Sequence, residues 1–200
     1  MGRCVNKGVA MGQKAALEPA QIEQIDGLLS GHLRNRALFR TGLYTALRSV
    51  DLVSLRARDV VDGAGKVRER FAVIVRKVSD FSPDKRKVKS QTVQIDARTR
   101  DALQALIDRH GLSGDAKLFD VTTGQYRRLI KSWCKGIGLD PTLYAGHSTR
   151  RTMPSLVYRK TKDIEACRRL LGHTNIMHTC GYLSVTHDMA LRAGIDALNT

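Results

Sequence analysis

An α+β fold, mainly helical around a small antiparallel sheet, is what the sequence predicts, and three observations lead there. Apolar residues recur at helical spacing through Ile22, Ile25, Leu28 and Leu29, then through Leu33, Leu38, Leu43 and Leu47. A middle stretch from Asp59 changes to β-branched runs broken by turn residues. Helical spacing then returns at Thr99 and continues to Leu198. No repeat, low-complexity tract or linker interrupts the pattern. One domain over residues 19–200 follows a loose, basic tail over residues 1–18, where small residues show no period.

Pro19 stands at the entry of the first helix, where its missing N–H costs nothing. The second helix runs from Leu33 to Leu47, and Arg48 to Leu55 forms a short amphipathic one. Val60-Val61, Phe71 to Val75 and Thr92 to Ile95 read as strands. Between the last two lies a long basic hairpin tip, Arg76 to Lys89. Thr99 caps an amphipathic helix through Ile107, which Gly111 and Gly114 end. Thr122 or Thr123 opens the next helix through Tyr126, Ile130 and Trp133, with Arg127, Arg128, Lys131 and Lys135 on its other face. Those charges suit a solvated face and the backbone of a nucleic acid equally. The helix over residues 148–160 buries Met153, Leu156 and Val157, and Asp163 to Leu171 turns Ile164, Cys167, Leu170 and Leu171 inward. A helix over residues 175–183 presents Tyr182. A last one, Asp188 to Leu198, has an apolar stripe of Met189, Leu191, Ile195 and Leu198 that folds back in cis or docks on a neighbouring subunit.

The excess of 34 Lys+Arg over 19 Asp+Glu, a net charge of +15, is the footprint of a polyanion binder. No segment approaches the roughly 20 apolar residues of a membrane span, and no apolar run follows Arg3 and Lys7 as a secretory signal would. Cys4, Cys134, Cys167 and Cys180 are scattered without metal-ligand spacing, which suits reduced thiols in a cytoplasmic protein.

The stretch from His147 to Tyr182 gathers the chemistry. His147 and Arg150 are three apart and share a helix face. Leu170-Leu171-Gly172-His173 places a histidine just past a glycine that can close a helix, and Tyr182 follows nine residues later. Two histidines, an arginine and a tyrosine without an acid cluster suit chemistry on a phosphate. Arginine grips its oxygens, histidine moves a proton, and a tyrosine hydroxyl can attack. His173 and His178 do not form a His-Glu-x-x-His motif, so no zinc site is expected.

His147-x-x-Arg150, then Leu171-Gly172-His173, then Tyr182 resembles the C-terminal signature of the tyrosine recombinases, the phage integrase family. Thr41-Gly42-Leu43 followed by Arg48, Asp51 and Leu55 resembles the first-arginine box of the same family, with Tyr44 to Leu47 making its spacing longer than usual. The resemblance runs from about residue 19 to 198 and implies a tyrosine-recombinase catalytic-domain-like fold. It implies a DNA recombinase or integrase of a mobile element, acting through a 3′-phosphotyrosine. Related alternatives are a topoisomerase of the type using the same tyrosine chemistry and a non-catalytic DNA-binding remnant. Carried over, Tyr182 is the nucleophile, Arg48 and Arg150 hold the phosphate, and His173 adds a hydrogen bond. His147 takes the tyrosine proton and Asp51 supports the site from behind. A hairpin lysine protonates the leaving oxygen: Lys77 in the family's place at the end of the first strand, or Lys87 or Lys89 near the return strand. Lys87, Lys89, Arg127, Arg128 and Lys131 are the expected DNA contacts. The partner is double-stranded DNA, with self-association on paired sites, and the chemistry requires no metal or nucleotide cofactor. The family's N-terminal helical clamp is not expected within about 18 residues, as in the fimbrial phase-switch invertases or a fragment of a longer protein.

Overall fold

Pro19 opens α1 (Pro19–Leu28) behind Glu18, whose backbone N–H donates to Gln21 Oε1 at 2.9 Å. The computed structural model describes residues 14–75, 89–183 and Ile195. In chain order α2 (Leu33–Thr45), α3 (Ser49–Leu52) and α4 (Ala57–Val60) lead to two strands, β1 (Arg70–Val75) and β2 (Lys89–Gln94). α5 (Ala97–His110) and α6 (Thr123–Gly136) follow, then a 3-10 turn at Pro141–Leu143. The described chain continues through α7 (Gly146–Thr161), α8 (Ile164–Leu171) and α9 (Ile176–Leu183). The α+β expectation holds: helices enclose one antiparallel pair.

The strands pair from Arg70 opposite Gln94 to Val75 opposite Lys89. Period-two alternation buries Phe71, Val73, Gln91, Val93 and Ile95 and leaves Ala72, Ile74, Thr92 and Gln94 exposed. The buried face joins a core that includes Leu38, Phe39, Leu55, Leu103, Phe119, Tyr126 and Trp133. Phe39 and Trp133 meet edge to face at 5.7 Å.

Four expectations change. Val60 belongs to a helix rather than a strand, because Asp59 Oδ2 accepts from the Arg56 N–H at 2.9 Å and winds the chain into a turn; Val61 keeps only an isolated bridge to Val67. Thr99 does not cap α5: Asp96 does, accepting from the Thr99 N–H, and so places the cap three residues earlier. Of the tail expected over residues 1–18, residues 1–13 lie outside the described residues, and residues 14–18 are not loose. Ala15 and Leu17 are buried, with the Ala15 N–H on Leu143 O and the Leu17 N–H on Thr152 Oγ1. In α7, Met153, Leu156 and Val157 are only half-buried; the buried face is Ser148, Thr149, Arg150, Arg151, Thr152 and Pro154. The helix predicted over Asp188 to Leu198 lies outside the described residues except for Ile195, which is helical and exposed. No described helix is long and apolar enough to cross a membrane.

A buried charge network ties the N-terminal helices to the sheet. Asp26 on α1 accepts from Arg36 at 3.0 and 2.8 Å and from Arg98 at 2.8 Å, and pairs with Arg40 at 3.3 Å. Arg40, 2% exposed, reaches Asp96 at 2.7 Å. Burial alone would raise the Asp26 carboxyl, but the Arg36 hydrogen bonds and the Arg40 charge hold it below the usual range. Asp96 is held low in the same way, by Thr99 and Arg40 against burial. A carboxylate depressed in the folded state stabilises it at neutral pH, and that contribution disappears as pH falls through the unfolded value of about 4 towards the folded one. The melting temperature is therefore expected to drop steeply below about pH 5. Arg40→Met should flatten the dependence, as thermal melts across pH would show.

Candidate active site

Arg150 sits where two helices end. α2 closes at Ala46, which takes the left-handed conformation at φ 48°, and α8 closes at Gly172 with φ 62°. Helix C-termini leave carbonyls without intrahelical donors and carry a partial negative charge. Arg150, 2% exposed on α7, fills both gaps, Nη1 donating to Ala46 O and Nη2 to Leu171 O at 2.6 Å. Burial pulls its guanidinium down to about 10, a shift that neighbouring Tyr182 and Asp51 oppose and Arg48 reinforces. It remains protonated at neutral pH. Asp51, buried on α3, thus lends a counter-charge from behind.

Arg48 is the N-cap of α3, half-buried in extended backbone, and its charge acts on His147, Arg150 and Tyr182. His147 lies exposed in the first turn of α7. Partial desolvation, with the charges of Arg150 and Arg48, holds its imidazole below the usual histidine value. It is neutral at pH 7 and free to accept a proton.

Tyr182 projects from α9, its hydroxyl donating to the His147 carbonyl at a long 3.4 Å. Burial raises its phenol, while Arg150, Arg151 and Arg48 pull the other way. The His173 ring meets it edge-on at 5.7 Å, and the Arg151 guanidinium lies over its face at 5.6 Å. His173 is held in turn: Nδ1 is 3.1 Å from Thr179 Oγ1, and its carbonyl accepts from Arg168 at 2.6 Å. Gln91 on β2 reaches across to donate to Leu170 O at 2.7 Å. The turn carrying His173 is thereby pinned by the sheet, by α7 and by its own helix.

Two glycines permit the close packing beneath. A Cβ on Gly42 would lie 2.6 Å from Tyr126 Oη. One on Gly146 would meet Ser49 Oγ even closer. Tyr126 is fully buried, with Oη 2.7 Å from Thr149 Oγ1, so it cannot swing aside.

Arg48, His147, Arg150, His173 and Tyr182 are thus gathered in one place. Lys77 and Lys87 lie outside the described residues, and Lys89 is described only as the β2 residue opposite Val75. Arg127 and Arg128 are exposed and Lys131 half-buried on α6, away from its inward-facing Tyr126. Sequence reasoning missed Arg151, Gln91, Thr149 and Ser49. Only the paired arginines 150 and 151 and the glycines at 42 and 146 could have signalled them. No described group of three or more His, Cys, Asp or Glu side chains is placed to hold a metal ion.

The family model named Phage integrase family matches residues 16–189. The chain belongs to the phage integrase family. Its fold is shared with the XerA recombinase, at a TM-score of 0.70 and 20% identity over 94% of this chain and 66% of that one. The Tn1549 transposon integrase, solved in complex with transposon right end DNA, matches at 0.66 and 21% identity over 93% and 66%. The XerH site-specific recombinase bound to difH substrate matches at 0.69 and 16% identity over 93% and 55%. The chain therefore spans less than two thirds of these recombinases, whereas it covers 95% of the bacteriophage HP1 integrase catalytic domain, at 0.58 and 17% identity. No curated protein matches in sequence.

Because Arg150 satisfies two buried carbonyls, Arg150→Ala should destabilise the fold by roughly 2–6 kcal/mol, counted as two orphaned acceptors. Urea unfolding would measure it, with Arg48→Ala, half-buried at a helix entry, expected to cost much less.

Proposed function

We propose that this phage integrase family member is a site-specific DNA recombinase that breaks and rejoins double-stranded DNA through a 3′-phosphotyrosine. One observation supports this reading above the others: the Tyr182 hydroxyl converges with two guanidiniums and a neutral histidine. Tyr182 Oη attacks a backbone phosphorus and the 5′ oxygen leaves. Charge gathers on the non-bridging oxygens of the transition state. Arg48 and Arg150 neutralise it, Arg150 with N–H donors beyond the two of its five that it commits to carbonyls. His147 accepts the phenol proton and His173 donates to a phosphate oxygen. Lys77 protonates the departing 5′ oxygen, with Lys87 and Lys89 the alternatives. The phosphotyrosyl ester conserves the broken bond, so the 5′ hydroxyl of a second strand can reverse the attack without a nucleotide cofactor.

DNA as partner is supported by the net charge of +15, by exposed Arg127 and Arg128, and by related folds solved on DNA. Lys87, Lys89 and Lys131 complete the proposed contacts. Assembly on paired sites belongs to the same reading. The reaction takes place in the cytoplasm, where the cysteines stay reduced.

Tyr182→Phe should bind DNA normally yet yield no covalent adduct with nicked duplexes, read on denaturing gels; normal adducts from the variant would refute the assignment. Affinity should fall with salt at a log–log slope of about −0.9 for each phosphate contacted, and a flat response in fluorescence titrations would exclude DNA as the polyanion. Adduct formation should fail with acid only below the ordinary histidine value of about 6.5, because His147 is held below it.

A further inference from the structure

Arg151 plays no part in the reaction described above, yet it touches the proposed nucleophile. Next to Arg150 on α7, it is turned about 100° around the helix axis, so the two guanidiniums diverge. Arg150 goes to the helix ends, whereas Arg151 goes to the face of the Tyr182 ring, 5.6 Å from its centroid. It is 8% exposed, and Nη1 also donates to the carbonyl of Lys14, the first described residue, at 3.3 Å. The segment from Lys14 to Leu17 is itself fixed, by the Leu17 N–H on Thr152 Oγ1 and Lys14 Nζ on Thr142 O at 2.8 Å.

We propose that Arg151 is a positioning residue for Tyr182, its guanidinium held over the phenol ring at cation–π distance and setting the ring's plane and the depth of its hydroxyl among Arg48, His147 and Arg150. The inference rests on the recombinase reading for its effect on rate, though not for the contact itself. The geometry suits an arginine. A flat, weakly hydrated cation is attracted to an aromatic face, and here the cation is buried while the Tyr182 ring is half-buried. Two walls then hold the ring: the edge of His173 on one side and Arg151 over its face. The same charge favours the phenolate, since Arg151 is among the groups that pull the Tyr182 hydroxyl back down against its burial. Tyrosine on a short helix would otherwise have two free side-chain torsions, and attack demands alignment with the leaving oxygen. Packing alone would be met by any long side chain, whereas a cation over the ring would not.

The experiment labels the five tyrosines at Cζ with 13C, assigns Tyr182 through Tyr182→Phe, and titrates the phenol in the full chain. Arg151→Met and Arg151→Gln remove the charge by two routes, so a folding defect in one leaves the other, and Arg151→Lys restores it. In the neutral variants the Tyr182 midpoint should rise by about half a pH unit, the scale of a cation over a ring that is partly open to solvent. The rate of covalent adduct formation on a randomised pool of nicked duplexes should fall roughly tenfold at neutral pH. The deficit should narrow as pH rises, binding should be unchanged, and Arg151→Lys should recover part of both effects. An unmoved Tyr182 midpoint in the neutral variants overturns the proposal. So does equal impairment of the Lys and neutral variants, which would mean packing only. Wild-type protein that forms no adduct with any duplex refutes the recombinase reading instead, and the titration still decides for or against Arg151.

Discussion

A buried cation between two helix ends is the constraint on which the rest depends. Removing a guanidinium from water costs several kcal/mol, and a helix C-terminus returns only about 0.3–2 kcal/mol through its dipole. Two dipoles therefore do not suffice. The hydrogen bonds from Arg150 to Ala46 O and Leu171 O, each worth about 1.5–3 kcal/mol for a charged donor, bring the sum near balance. That arrangement exists only if α2 stops at Ala46, α8 stops at Gly172, and α7 passes between them. Ala46 accepts a left-handed backbone for this, a conformation that non-glycine residues usually avoid.

The same requirement explains the unusual interior of α7. A helix that must hold charges against helix ends cannot present an ordinary apolar stripe. Its buried face is hydroxyl-rich instead, and each hydroxyl is occupied: Thr152 Oγ1 donates to Ser148 O while accepting from Leu17, and Thr149 meets Tyr126. Satisfied in this way, the polar face costs little. The glycines at 42 and 146 let the neighbouring backbones close around it.

Much of this was legible because the residues that do chemistry are rare in combination. The order of Arg48, His147, Arg150, His173 and Tyr182 pointed to one cluster, and the structure brings those side chains together. Helix starts marked by Pro19 and Thr122 were also readable, being written in local chemistry. The inner face of α7 was not. Apolar periodicity selects Met153, Leu156 and Val157, while burial of polar residues depends on partners far away in sequence, such as Leu17 and Tyr126. Asp96 was hidden for a related reason. Thr99 has the right type for a cap, and only the three-dimensional path shows Asp96 capping α5 while also binding Arg40. Gln91 and Arg151 act across similar gaps, on Leu170 and on Tyr182, and carry no motif of their own.

The hairpin register has an evolutionary consequence. From Arg70 opposite Gln94 to Val75 opposite Lys89 the two strands are anchored by buried Phe71, Val73 and Val93, and Gln91 ties them to the turn before His173. Whatever number of residues joins Val75 to Lys89, the ends being joined stay where they are. Closing a longer connection costs only about 0.6 kcal/mol for each doubling of its length. Insertions and deletions there are nearly neutral for folding and leave Arg150 in its seat, so the lysine-bearing segment can diverge in length and charge between relatives while the rest of the domain holds its shape.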